Sequence, residues 1–190
     1  MASWQAWKSS IGAALVLGAM SAPAVAADPV VSFTTSPNPA VKGSPLGLDV
    51  LITGVVDLYA FQFTLSFNPA VLQATGVTEG AFLATGGTTF FSAGTINNTT
   101  GTVSFAYDSL LGALPGVNGS GVLAHINFSV PSVGTSPITF SNVLLLNSQL
   151  VEMAAMVNNG VVTAVPEPAP YLLLAAGIAG LALRRRLQAA

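Results

Sequence analysis

Cysteine is absent from all 190 residues. No disulfide framework and no thiolate metal site can therefore form. Basic side chains are nearly absent too. Lys8, Lys42, Arg184, Arg185 and Arg186 are the whole set, and Lys42 alone lies between Asp28 and Pro168. That span holds every acid: Asp28, Asp49, Asp57, Glu79, Asp108, Glu152 and Glu167. One lysine against seven carboxylates leaves it at a net charge of −6, whereas the whole chain stands at −2. A basic face for nucleic acid cannot be built from this set. His125 is the only histidine, too few imidazoles for a zinc centre. No Gly-x-Ser-x-Gly elbow occurs, and no loop has the ligand spacing of an EF-hand. The glycine-rich stretches at Gly86-Gly87 and Gly116 to Gly121 lack the lysine of a phosphate loop and read as turns. A glycosidase needs two carboxylates flanking one bond, and the spacing of the acids designates no such pair. The expectation is no catalytic residue, no metal and no cofactor.

Helical periodicity is missing as well. Between Asp28 and Ala164 no segment of 10 or more residues has it, although Pro69 to Leu72 is compatible with one helical turn. The pattern that is present has period two. Leu46, Leu48, Val50 and Ile52 recur at every second position. Tyr59, Phe61, Phe63, Leu65 and Phe67 share one side of a strand, with Ala60, Gln62, Thr64 and Ser66 opposite. Val103, Phe105 and Tyr107 repeat the theme. In Val122, Ala124, Ile126, Phe128 and Val130 the apolar side recurs, leaving Leu123, His125, Asn127 and Ser129 on the wet side. Such alternation marks strands buried on one face. Val30 to Thr34, Val71 to Val77, Thr88 to Phe91, Ile138 to Leu144 and Gly160 to Ala164 bring the total to about nine. Turn dipeptides such as Asn68-Pro69 and Asn118-Gly119 separate them. The fold class read from this is all-β, a two-sheet sandwich. About 140 residues suffice for one core without covalent staples, so one folded domain is expected.

Both ends of the chain read differently. Lys8 precedes an apolar stretch from Ile11 to Met20, and Ala24-Val25-Ala26 places small residues where signal peptidase requires them. Residues 1–26 thus read as a secretory signal peptide recognised at Ala24 and Ala26. The last 26 residues run VPEPAPYLLLAAGIAGLALRRRLQAA. Pro166, Glu167 and Pro168 are followed by an apolar run from Tyr171 to Leu183, and then by Arg184, Arg185 and Arg186. The run of 13 residues is short beside the roughly 20 that a spanning helix needs. The arginines favour a cytoplasmic end, and the prolines keep the preceding segment extended. In order and composition, residues 165–190 resemble the PEP-CTERM sorting signal of Gram-negative bacteria. The resemblance implies a transient membrane segment over about 169–187 and an exosortase that recognises Val165, Pro166, Glu167, Pro168 and the arginine cluster and removes the tail on export.

A second resemblance covers the body. Asp57 to Leu83, DLYAFQFTLSFNPAVLQATGVTEGAFL, is similar to the cohesin domain. Gly101 to Gly112, Gly119 to Val130, Gly134 to Asn147 and Gly160 to Val165 follow in that family's order. Residues 28–164 are accordingly expected to form a cohesin-like jelly roll of about nine strands. Cohesins of cellulosomes bind dockerins through one sheet face, which does not by itself name a partner here. The functional expectation is a non-catalytic module, exported through the inner membrane to the cell surface or extracellular matrix. It would bind a surface protein or matrix polysaccharide through outward residues Gln62, Thr64, Ser66, His125 and Asn127. A polysaccharide hydrolase and a homophilic structural protein are the alternatives.

Overall fold

The computed structural model describes residues 27–167, 177–179 and 184–185. The expected signal peptide, with Ala24 and Ala26, lies outside the described residues, as do Pro168, Arg186 and most of the expected membrane segment. Arg184 and Arg185 are described and exposed. Among the described residues no helix is long and apolar enough to cross a membrane.

The body is a two-sheet β-sandwich. In chain order its strands are β1 (Val30–Ser36), β2 (Ala40–Val41), β3 (Pro45–Leu58), β4 (Ala60–Ser66), β5 (Gln73–Glu79), β6 (Thr89–Ser92) and β7 (Thr95–Asn97). There follow β8 (Thr102–Leu110), β9 (Val117–Ser129), β10 (Gly134–Leu146), β11 (Glu152–Met153), β12 (Met156–Val157) and β13 (Gly160–Val165). The smaller sheet runs β12-β1-β3-β9-β5, and the larger runs β2-β13-β10-β4-β8-β6, with β11 on β10 and β7 on β8. Nine of the thirteen are the expected strands, some of them longer than expected. The four additions, β2, β7, β11 and β12, have two or three residues each, too short for any periodicity to announce them. Residues 69–71 form a hydrogen-bonded turn, with the Leu72 amide donating to the Asn68 carbonyl. The helix of the body is instead α1 (Ala81–Ala84), which packs on β9.

The core lies between the sheets. Leu46, Leu48, Val50 and Ile52 of β3 and Ala124, Ile126 and Phe128 of β9 face Phe61, Phe63 and Leu65 of β4. Aromatic rings bridge the two layers. Phe67 meets Phe128 edge-on with ring centroids 5.1 Å apart, and Phe33 of β1 meets Phe140 of β10 at 6.3 Å. The edge-on contact of Phe67 and Phe128 sets the positive rim of one ring against the negative face of the other, so that pair fixes the spacing of the layers as well as filling it.

β-Bulges overturn four burial assignments read from strict alternation. On β8, Phe63 pairs with Ala106 but Leu65 pairs with Val103, so two residues of β8 face one of β4. Phe105 takes up the irregularity with φ of +54°. Beyond it the parity of the strand reverses. Ala106, Asp108 and Leu110 turn inward, while Phe105 and Tyr107, expected in the core, are 55% and 36% exposed. The residue opposite the bulge is Thr64. It was expected to face solvent but is only 8% exposed, because its hydroxyl accepts the Phe105 amide at 3.2 Å. On β9, Leu123 is the extra residue between Val50↔Ala124 and Leu51↔Val122. Expected on the wet side, it is buried beside α1, and its carbonyl accepts the Gly80 amide at 2.9 Å. A Cβ on Gly80 would run into the Val122 carbonyl, so glycine is required at this crossing.

Candidate functional site

The bulge at Phe105 builds the outer surface of the larger sheet. Register places Ser92, Tyr107, Gln62 and Leu144 in one row across β6, β8, β4 and β10. Phe90, Ser109, Ala60 and Leu146 form the next row. Phe90 is 55% exposed, and its ring lies 6.1 Å from that of Tyr107 at a tilt of 38°. Beside the two rings is a shallow depression of about 140 Å³, lined by Ala60, Phe61, Gln62, Tyr107, Asp108, Ser109, Leu144 and Leu146. The surface is therefore apolar and aromatic, with the Gln62 amide and the Ser109 hydroxyl as its polar points. Phe91, the neighbour of Phe90, packs against the core instead.

The other candidate residues lie on the opposite side of the molecule. His125 of β9 sits directly across from Asp49 of β3 and from Thr78 of β5. Its Nδ1 is 2.6 Å from Asp49 Oδ1, with both side chains more than two-fifths exposed. Asn127 lies between Gly47 and Gly76 in the adjacent row, and its carbonyl accepts the Thr75 hydroxyl at 3.1 Å. Gln62 and Ser66 thus share the larger sheet, His125 and Asn127 share the smaller one, and Thr64 is interior. The five do not make one binding face. Alternation tells which residues of a strand face outward, but not which sheet the strand joins. Phe105 and Tyr107 were missed for a different reason: the bulge leaves no mark in a two-residue period.

Two carboxylates have unusual surroundings. Asp108, 1% exposed, is turned inward by the same bulge. Its Oδ1 accepts the Ser109 amide at 2.8 Å, while Oδ2 has no hydrogen-bond partner. Glu79, at the end of β5, stands beside it and accepts a hydrogen bond from the Thr89 hydroxyl. Burial first, and then the Glu79 charge, push the Asp108 carboxyl up to about 7. Two carboxyl groups this close cannot both ionise cheaply. Asp57 is the converse. The Ser148 hydroxyl at 2.8 Å, followed by the amides of Gly116 at 2.8 Å and Ser148 at 3.3 Å, holds its carboxyl below the ordinary value. Those bonds tie the loop before β9 and the loop after β10 to the end of β3.

Similarity to known proteins follows the same division of the chain. A cohesin-domain family model matches residues 33–164, and a PEP-CTERM protein-sorting motif matches residues 164–186. No curated protein matches the chain. Among solved structures, the fold is similar to a non-cellulosomal cohesin from the hyperthermophilic archaeon Archaeoglobus fulgidus. That pair has a TM-score of 0.55 at 14% identity, covering 76% of this chain and 96% of that one. A type II cohesin module of an adaptor scaffoldin from Acetivibrio cellulolyticus gives a TM-score of 0.62 at 16% identity, covering 76% and 94%. A type I cohesin–dockerin complex from Clostridium thermocellum gives 0.57 at 14%, covering 73% and 100%. The chain belongs to the cohesin family and ends in a PEP-CTERM protein-sorting motif.

Proposed function

We propose that this chain is an exported, non-catalytic adhesion module. Signal peptidase removes residues 1–26, the C-terminal segment holds the chain in the inner membrane of a Gram-negative cell, and an exosortase releases it. The released sandwich is retained at the cell surface or in the extracellular matrix by a protein partner seated on the outer face of the larger sheet. The observation that carries this reading is the exposed Phe90–Tyr107 pair beside Gln62 and Leu144. Exposed aromatics that cluster around a shallow depression are the side chains that dominate protein–protein affinity. Membership of a family with members solved in complex with dockerins points to a protein ligand in the same way.

The test is retention. Phe90→Ala with Tyr107→Ala removes two central anchors of the face, and each such anchor contributes about 2 kcal/mol or more. The double variant is expected to appear in the culture medium, not in the matrix fraction, with an unchanged circular dichroism spectrum. Retention equal to that of the wild type refutes the assignment of this face.

The same rings support a second reading, a matrix polysaccharide stacked on Phe90 and Tyr107. Binding of the released chain to purified matrix polysaccharide, lost in the double variant, would replace the protein partner with a glycan. Release of reducing ends from that polysaccharide by the wild-type chain would instead establish a hydrolase. Concentration-dependent sedimentation of the released chain alone would establish homophilic assembly.

A further inference from the structure

The sorting motif and the folded domain share residues. The domain match ends at residue 164, where the motif match begins, and no spacer separates them. Ala164 and Val165 are the last two residues of β13. They pair in parallel with Ala40 and Val41 of β2, and the Lys42 amide donates to the Val165 carbonyl at 2.9 Å. On its other side β13 is held by β10, with Ala164 opposite Gly134. Two residues further on, Glu167 rests on the turn after β2. A Cβ on Gly43, whose φ is +82°, would run into Glu167 Oε1. The turn is itself fixed from below, because the Gly43 amide donates to the Val130 carbonyl at 2.9 Å.

A protease takes its substrate as an extended strand, through backbone groups that must be free to bond. Here the backbone that leads into Pro166 is already committed on both sides. The contacts differ in strength. β13 joins β10 over five residue pairs but joins β2 over only two. The short β2 pairing is the part that local opening releases first, since the free energy of opening rises with the number of contacts broken.

We propose that β2 and the Lys42–Ser44 turn form a strap that masks the start of the sorting motif. Processing then proceeds only from the state in which the end of β13 and Glu167 have lifted off this strap. The proposal rests on the sorting reading above and adds an autoinhibitory contact to it. The mask couples removal of the tail to the condition of the domain edge, so that a strap held closed delays release from the membrane.

Absence of cysteine makes the test clean. Ala40→Cys with Ala164→Cys places thiols on directly paired residues, a spacing compatible with a disulfide. In the producing cell, with the full-length chain pulse-labelled, conversion of precursor to processed form is expected to slow at least tenfold and to recover on reduction. The single-cysteine variants should process normally. A six-residue Gly-Ser insertion between Ala164 and Val165 in the locked background should restore conversion, because the motif then clears the strap intact while the disulfide remains. A disulfide-linked chain processed at the wild-type rate overturns the proposal. So does rapid amide hydrogen exchange at Lys42 in the purified wild-type chain, which would mean that the strap does not hold. The sorting reading has its own control: replacing Pro166, Glu167 and Pro168 with alanine should abolish processing. If that variant is cleaved normally, the sorting reading fails whatever the locked chain does.

Discussion

Asp108→Asn should make this domain more stable at pH 8 and remove most of its dependence on pH between 5 and 8. The reasoning starts from the bulge at Phe105, which turns Asp108 into the sandwich beside Glu79, with Oδ2 unpartnered. Its carboxyl titrates at about 7, against 3.8 for the free side chain. A carboxyl whose folded pKa is raised binds a proton in the folded state that the unfolded chain has already lost. Its contribution to stability is fully present below 3.8 and is lost as pH rises through about 7. A shift of that size corresponds to about 4 kcal/mol in full, at about 1.4 kcal/mol per unit, which is a large part of the stability of an ordinary domain. Urea unfolding at pH 5 and pH 8 measures it. About 1.7 kcal/mol of this is already lost at pH 5, because the unfolded carboxyl ionises from 3.8 upward. About 2.6 kcal/mol is lost between pH 5 and 8, so with a slope of about 2 kcal/mol per molar the wild-type midpoint should fall by about 1.3 M. Asparagine copies the neutral acid in shape and leaves nothing to ionise. Its midpoint should therefore fall far less, and the difference between the two proteins isolates the Asp108–Glu79 pair from the other titrating groups. Asp57 does not confuse the comparison: its folded pKa is lowered, so its contribution fades only as pH falls through that lowered value, below the interval. Equal pH slopes in wild type and variant would refute the account.

Two further outcomes follow from single contacts. Thr64→Val keeps the shape of the side chain but removes the acceptor of the Phe105 amide; urea unfolding should show a loss of about 1–2 kcal/mol, and an unchanged midpoint would mean that the hydroxyl does not hold the bulge. Asp57→Asn tolerates the left-handed backbone at this position, where φ is 64°, but turns an amide donor toward Ser148. Limited proteolysis should then cut faster within residues 111–116 and 147–151, and an unaltered cleavage pattern would show that the carboxylate does not tie those loops.

How far the sequence reveals this molecule depends on where its strands are regular. Leu46 to Ile52 shows its buried side in plain alternation, because one face meets the core and the other meets water over the whole length, and Phe61 to Phe67 does the same except at Thr64. The pattern fails at Phe105 and Leu123, where one extra residue reverses parity without changing composition. Thr64 was misread for a reason that lies on another strand: the amide that its hydroxyl binds beneath the bulge belongs to β8. The split of Gln62 and Ser66 from His125 and Asn127 depends on strand order, which arises from long-range pairing and is absent from any local window. Phe90 is the exception. Two adjacent phenylalanines on a strand cannot both point inward, and that constraint is readable without a structure.

Asn127, flanked by Gly47 and Gly76 on a surface that points away from Phe90 and Tyr107, makes the molecule two-sided in a practical sense. A lone thiol introduced there would be the only one in the chain. It would let the protein be coupled to a bead or a fluorophore by its back while the aromatic front stays open to whatever docks on it.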